Sequence, residues 1–175
     1  MCRSLYILPA LASLVLVTST AHPNDGSEQR EEQFKAAYVF NFVKFVEWPP
    51  AALSNTLTVC FLGGQGVYEA LSVSIEGKRV GARQLLARQL DPSASTDGCN
   101  ALYFDAAAAA GKPFMIEQPV LTISDAEKFA LHGGIIELFT ENHRLRFLIN
   151  VDNAHKAGLR ISSDLLKLAA GVRQE

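Results

Sequence analysis

Apolar and polar positions along the chain follow two rhythms, one of three to four residues and one of two. Phe34, Ala37, Tyr38, Phe42, Phe45 and Val46 are spaced by three and four, the period of a helix face. Ser27 followed by Glu28, Glu31 and Glu32 supplies a cap candidate and first-turn acids. Trp48-Pro49-Pro50 forbids continuation. Val39, Phe40 and Val43 widen the stripe, so this helix is expected to be buried on more than one side. Leu57–Leu62 reads as a buried strand ended by Gly63-Gly64-Gln65-Gly66, with a helix over 67–75 behind it. Glu76-Gly77-Lys78 turns the chain into a second strand, 84–90. After a polar loop, Cys99–Phe104 is the third strand, and Asp105 caps the alanine run 106–110, closed by Gly111-Lys112-Pro113. Val120–Ile123 is the fourth strand. Ser124 with Glu127 predicts a capping box and a helix that stops at His132-Gly133-Gly134. Strands 135–139 and 145–149 form a hairpin around Thr140–Arg144. Helices 151–157 and 163–170, separated at Gly158 and with Ser162 and Ser163 as caps, complete the chain.

Strands alternating with helices indicate βαβ units. The expected fold is an α/β single-domain sandwich of about six mainly parallel strands, with a late antiparallel hairpin and helices on both faces. No interior linker or repeat divides the domain, which spans 28–172. A flavodoxin-like strand order would set the first and third strands side by side.

The first 21 residues follow neither rhythm. Arg3 is the only charge before Asp25, and an apolar stretch from Leu5 to Val17 leads to Ser19 and Ala21, small residues where a signal peptidase cuts. Residues 1–21 are expected to be a secretory signal peptide cleaved after Ala21, because the apolar run is short for a bilayer span. Removing 21 residues from 175 leaves 154, and losing Arg3 takes the formal net charge from −2 to −3.

Apolar residues make up 49% of the chain and charged ones 19%, which excludes a disordered chain. No basic block is present, which argues against a nucleic-acid surface. Cys60 and Cys99, the two cysteines beyond the leader, read as a disulfide in an oxidising compartment; the alternative is two buried free thiols. Neither has a neighbour at metal-ligand spacing, so no metal or cofactor is expected.

Gly64-x-Gly66 between a strand and a helix has the start of a dinucleotide fingerprint. Its third glycine position is Glu69, however, so an ordinary strand-to-helix turn is expected. His22, His132, His143 and His155 show no ligand pairing, and no Ser lies within G-x-S-x-G. The chain is therefore expected to act by binding, without enzymatic chemistry. Trp48, the sole tryptophan, reads either as a plug at the core edge or as an interface anchor. Arg144, Arg146 and Arg160, with Lys156, are candidates to converge on an anion or an acidic partner; a solvated face is the bland reading.

The strings Lys35-Ala-Ala-Tyr-Val-Phe-Asn-Phe-Val-Lys-Phe-Val-Glu-Trp-Pro49 and Arg146-Phe-Leu-Ile-Asn-Val-Asp-Asn-Ala-His-Lys-Ala-Gly-Leu-Arg-Ile-Ser-Ser-Asp-Leu-Leu-Lys-Leu-Ala169 resemble the opening and closing signatures of YfiR-type periplasmic proteins. Leu121-Thr-Ile-Ser-Asp and Gly133-Gly134-Ile-Ile fit between them. The resemblance implies an exported α/β regulator that binds the periplasmic sensor part of an inner-membrane diguanylate cyclase, or a related sensor kinase. Bound there, it would repress cyclic di-GMP signalling and biofilm output. It also implies an outer-membrane lipoprotein as a second partner, and a homodimer as a further arrangement. Cys60 and Cys99 match one family disulfide; a second family pair, near the late hairpin, has no counterpart here. The rival expectation is a periplasmic small-ligand binding protein, with its pocket under the helix that ends at Trp48.

Overall fold

The computed structural model describes residues 25–110 and 118–174. The expected leader, His22 and the Gly111-Lys112-Pro113 helix stop lie outside the described residues. The first helix, α1 (Asp25–Lys44), buries Ala36, Val39, Phe42 and Val43, while Phe34 nearer its start is exposed. It ends at Lys44, short of the expected Val46. Val46–Glu47 instead forms a short strand, β1, and the Phe45 carbonyl accepts a hydrogen bond from the Ser162 N–H. A turn of 3-10 helix over Pro50–Ala52 leads into β2 (Thr56–Leu62). Then come α2 (Gln65–Ile75), β3 (Arg79–Val80), β4 (Arg83–Gln89), β5 (Ala101–Phe104), α3 (Ala106–Ala109) and β6 (Leu121–Ser124). The chain continues through β7 (Ile136–Glu141), β8 (Arg144–Asn150), α4 (Val151–Lys156), β9 (Arg160–Ile161), α5 (Ser163–Leu168) and β10 (Gly171–Arg173).

Eight strands form one sheet in the order β10-β8-β7-β6-β5-β2-β4-β3, and β1 pairs separately with β9. The run β4-β2-β5-β6-β7 is parallel throughout, while β8 folds back antiparallel on β7. The first and third long strands, β2 and β5, are neighbours, as expected. Around the six expected strands the structure adds β1, β3, β9 and β10. Each is only two or three residues long, too short to carry a period that sequence alone reveals.

Alternation along the strands divides the interior in two. On one face Leu57, Val59 and Phe61 of β2, Tyr103 of β5, Ile123 of β6, Leu138 of β7 and Phe147 of β8 pack with α1, α2, α4 and α5. Phe42 meets Phe147 edge-on with ring centroids 4.9 Å apart. The other face is covered more thinly: Cys60, Cys99, Leu102 and Phe104 pack with Ala109 of α3 and with Phe129. Cys60 and Cys99 are joined by a disulfide with a Cα–Cα separation of 5.7 Å, since β2 and β5 run side by side.

The helix expected from Ser124 to His132 does not form; the segment is a run of turns. Ser124 is fully buried at the end of β6, and its Oγ accepts the Ala126 N–H, two residues on instead of three. The buried Glu137 carboxylate, reaching from β7, accepts the N–H groups of Lys128 and Ala130. A distant side chain thus satisfies donors that a helix would have bonded to carbonyls four residues back. The hairpin turn is tighter than expected, with Asn142 and His143 both at positive φ between β7 and β8.

Candidate functional site

The parallel order reverses at β2 and β5, and open α/β sheets hold their crevices outside the carboxyl ends of strands at such a point. Here the crevice measures about 440 Å³ and is bounded by Gly64 after β2, Tyr103 and Asp105 at the end of β5, Asp125 after β6, and the first turns of α1 with Glu31 and Lys35. Lys35 Nζ donates to Asp125 Oδ2 at 2.6 Å and lies 2.9 Å from Glu31 Oε1. Tyr103 donates its hydroxyl to the same Asp125 oxygen at 3.2 Å. Burial by itself would lower the Lys35 pKa, but hydrogen bonds to Asp125 and Glu31 and the charges of both raise it above its ordinary value. Burial, then the Asp125 charge and hydrogen bond, push the Tyr103 phenol far above its usual range. Lysine and tyrosine are thus held protonated, as donors.

Glycines shape the floor. Gly63 and Gly64 both take the left-handed conformation, and a side chain on Gly63 would run into the Asp105 carboxylate. A Cβ on Gly64 would come within 2.6 Å of the Tyr103 ring. Asp105 Oδ2 accepts the Gly64 N–H and its Oδ1 accepts the Ala108 N–H, capping α3 as expected. The amide that a nucleotide phosphate would need is therefore taken by a carboxylate, in keeping with an ordinary strand-to-helix turn at Gly64-x-Gly66. Five carboxylates, from Glu28, Glu31, Glu32, Asp105 and Asp125, line the space against the single lysine. That imbalance suits a cationic or donor-rich group.

Trp48 is buried, and its indole N–H donates to the Asn100 carbonyl at 2.9 Å. Asn100 also accepts the Thr58 N–H on its side-chain oxygen and donates to the Ala52 carbonyl. Trp48 and Asn100 together pin the Pro49–Leu53 segment to β2 and β5, the plug reading of this tryptophan. A groove of about 490 Å³ beside them, lined by Pro49, Leu53, Cys99, Asn100 and Val120, opens at the amino ends of the strands. It lies at the opposite end of the sheet from the switch-point crevice.

Arg144 and Arg146 are exposed on one side of β8, with Arg146 Nη1 3.3 Å from Glu141 Oε2. Arg160 lies across the β1–β9 ribbon, its Nε 3.9 Å from Glu47. The guanidinium groups of Arg146 and Arg160 are thus each matched to a nearby carboxylate on a paired strand. His132 and His155 are exposed, the latter in the last turn of α4, and His143 occupies the hairpin turn. Among the described residues no cluster of His, Cys, Asp and Glu is arranged to hold a metal ion, and no helix is long and apolar enough to cross a membrane.

Lys35, Tyr103 and Asp125 had no role in the reading of residues one by one. A usable signal was present nonetheless: Asp105 and Asp125 each directly follow a buried strand, where parallel topology collects strand ends.

The fold is a single-domain α/β one with a mainly parallel sheet and a crevice at its switch point. The chain belongs to the YfiR/HmsC-like family, whose model matches residues 32–170. Among solved structures it is similar to a conserved domain protein from Vibrio cholerae O1 biovar El Tor strain N16961, with 11% identity and a TM-score of 0.49. The match covers 81% of this chain and 60% of that one, so the chain spans about three fifths of that protein's length.

Proposed function

We propose that the chain is an exported regulator that acts by contact. It engages the periplasmic sensor part of an inner-membrane diguanylate cyclase, or of a related sensor kinase, and lowers cyclic di-GMP output. The family match over residues 32–170 carries this reading. The amino-terminal leader pattern and the Cys60–Cys99 bridge support an oxidising compartment. The regulator would hold the sensor in one of two conformations by binding that one more tightly. Arg144, Arg146 and Arg160 are the proposed contact residues, since all three are exposed; Trp48 acts beneath the surface. An outer-membrane lipoprotein is proposed as the partner that withdraws the regulator.

Affinity capture from detergent-solubilised membranes tests this. Recovery of an inner-membrane sensor protein, with weaker recovery by an Arg144→Glu/Arg146→Glu variant, is expected. Capture of no such protein by correctly folded bait would overturn the reading.

The small-ligand reading is favoured by one observation, the acid-lined crevice at the switch point. Its ligand would be a cation or an amine. A rise in melting temperature with an amine panel, absent for matched carboxylates, is its test.

A further inference from the structure

Among the described residues, the outer edge of the long strand β4 is unpaired beyond Leu85. β3 pairs with β4 only at Gln84 and Arg83, and the Leu85 N–H goes to the Lys78 carbonyl. On the inner side Gln84 and Leu90 donate their N–H groups to Asn55 and Phe61 of the β2 segment. By the period of two, Leu86 and Arg88 face inward with them, so Ala87 and Gln89 turn their main-chain N–H and C=O groups outward, beyond the reach of β3. Leu86, exposed in the middle of this stretch, adds an apolar foothold.

The charge of this edge is one-sided. Between Glu76 and Asp91 the chain has Lys78, Arg79, Arg83 and Arg88 and no acid, in a protein whose net charge is −2. Scattered in sequence, the four are gathered by the β3–β4 hairpin. Register puts Arg79 beside Gln84, on the same face as Leu86 and Arg88, so two arginines flank the exposed leucine. Among the described residues no carboxylate pairs with any of the four cations. Arg88 Nη2 donates to the Asp97 carbonyl at 2.8 Å and approaches Cys99 Sγ at 3.1 Å, which holds it over the disulfide at the strand's flank.

An open main-chain edge invites another strand, and charged residues on an edge normally keep it from pairing with its own kind. A second copy docked antiparallel through β4 would set this basic strand against itself, a like-charge arrangement that disfavours pairing. The same charges favour an acidic strand. We infer that the outer edge of β4, from Leu86 to Gln89, docks an extended acidic segment of a partner protein by strand addition, with Arg79 and Arg88 reading its charge. Main-chain bonds would supply the alignment and the arginines the choice of partner. The inference goes beyond the regulator reading and does not depend on which receptor is engaged. A receptor that fails to co-purify and an edge that fails to bind are separate results.

The test uses 15N-labelled, disulfide-bonded protein and a capped ten-residue peptide alternating Glu and Val. Expected are shift changes centred on the Ala87 and Gln89 amides, with hydrogen exchange at both slowed at least tenfold at saturation. Binding should weaken at least tenfold in Arg79→Glu or Arg88→Glu variants that keep wild-type urea midpoints, and in a peptide N-methylated along one edge. Four outcomes would overturn the proposal: no binding at millimolar peptide; equal binding of a Lys–Val peptide; equal binding of the N-methylated peptide; or shifts centred elsewhere. Two more would do the same. If an oligothymidylate competes as well as the Glu–Val peptide, the edge is only a polyanion surface. If the free protein dimerises in sedimentation and Ala87→Pro abolishes the dimer, the occupant is a second copy.

Discussion

Lys35 and Asp125 meet across ninety residues of chain, with the ammonium 2.6 Å from the carboxylate. The contact ties the third turn of α1 to the carboxyl end of β6, and both side chains are largely withdrawn from water, at 14% and 19% exposure. Shielding raises the worth of such a pair above that of a surface ion pair, and Tyr103 adds a donor to the same oxygen. A double-mutant cycle with Lys35→Met and Asp125→Asn should give a coupling of about 1–3 kcal/mol in urea denaturation. A coupling near zero would mean that the pair does not hold α1 to the sheet.

The same cluster sets the alkaline limit of stability. Lys35 and Tyr103 both have folded-state pKa values raised above the ordinary 10.5 and 10.0, so the folded chain keeps protons that the unfolded chain releases. Their contribution is fully present below about pH 10 and is lost as pH climbs beyond it. Urea midpoints should hold between pH 8 and 9.5 and fall above pH 10, and Tyr103→Phe should flatten the fall. Tyrosinate absorbance should show Tyr103 ionising only as the protein unfolds.

Gly64 is required by its neighbour as well as by its backbone. Gly64→Ala places a Cβ 2.6 Å from the Tyr103 ring at φ +60°, and a loss of about 2–3 kcal/mol is expected. Gly77→Ala has a similar φ, +69°, with nothing near the new methyl, and should cost about 1 kcal/mol. Equal losses in chemical denaturation would show that the ring does not press on the turn.

The Cys60–Cys99 bridge closes a separation of 39 residues between neighbouring strands. The paired Cys60→Ser/Cys99→Ser variant should lose about 3–4 kcal/mol of stability by the chain-entropy argument. The fold itself should persist, because Leu102, Phe104 and Phe129 still fill that face. Intact-mass measurement should find two hydrogens fewer in the native chain than in the reduced one. A full complement of hydrogens would refute the bridge.

Long periodic elements were legible in the chain itself. The long first helix, strands β2, β4, β5 and β6, the late hairpin and the caps at Asp105 and Ser162 all rest on patterns within their own segments. The segment after Ser124 was not, because its donors are taken by Glu137, nine residues beyond Lys128 and on another element. Nor was the crevice. Lys35, Tyr103 and Asp125 lie in three separate stretches, and nothing local to any of them announces the other two.

The strings that carry the family resemblance sharpen the distinction. Tyr38 meets Phe147 edge-on with ring centroids 5.6 Å apart, Val46 pairs with Ile161, and Asn153 donates to the Gly134 carbonyl. These residues occur in sequence as separate signatures and in space as one another's partners. The chain alone therefore determined the long first helix and the longer strands, that the sheet is mainly parallel and that Cys60 and Cys99 are the two cysteines available to pair, since period, caps and composition act locally. Only the folded molecule decided that strand ends converge on a lysine held by acids, that Trp48 is enclosed, and that four scattered cations line one open edge. Those facts depend on distances between residues far apart in sequence, which only packing the two faces of the sheet fixes.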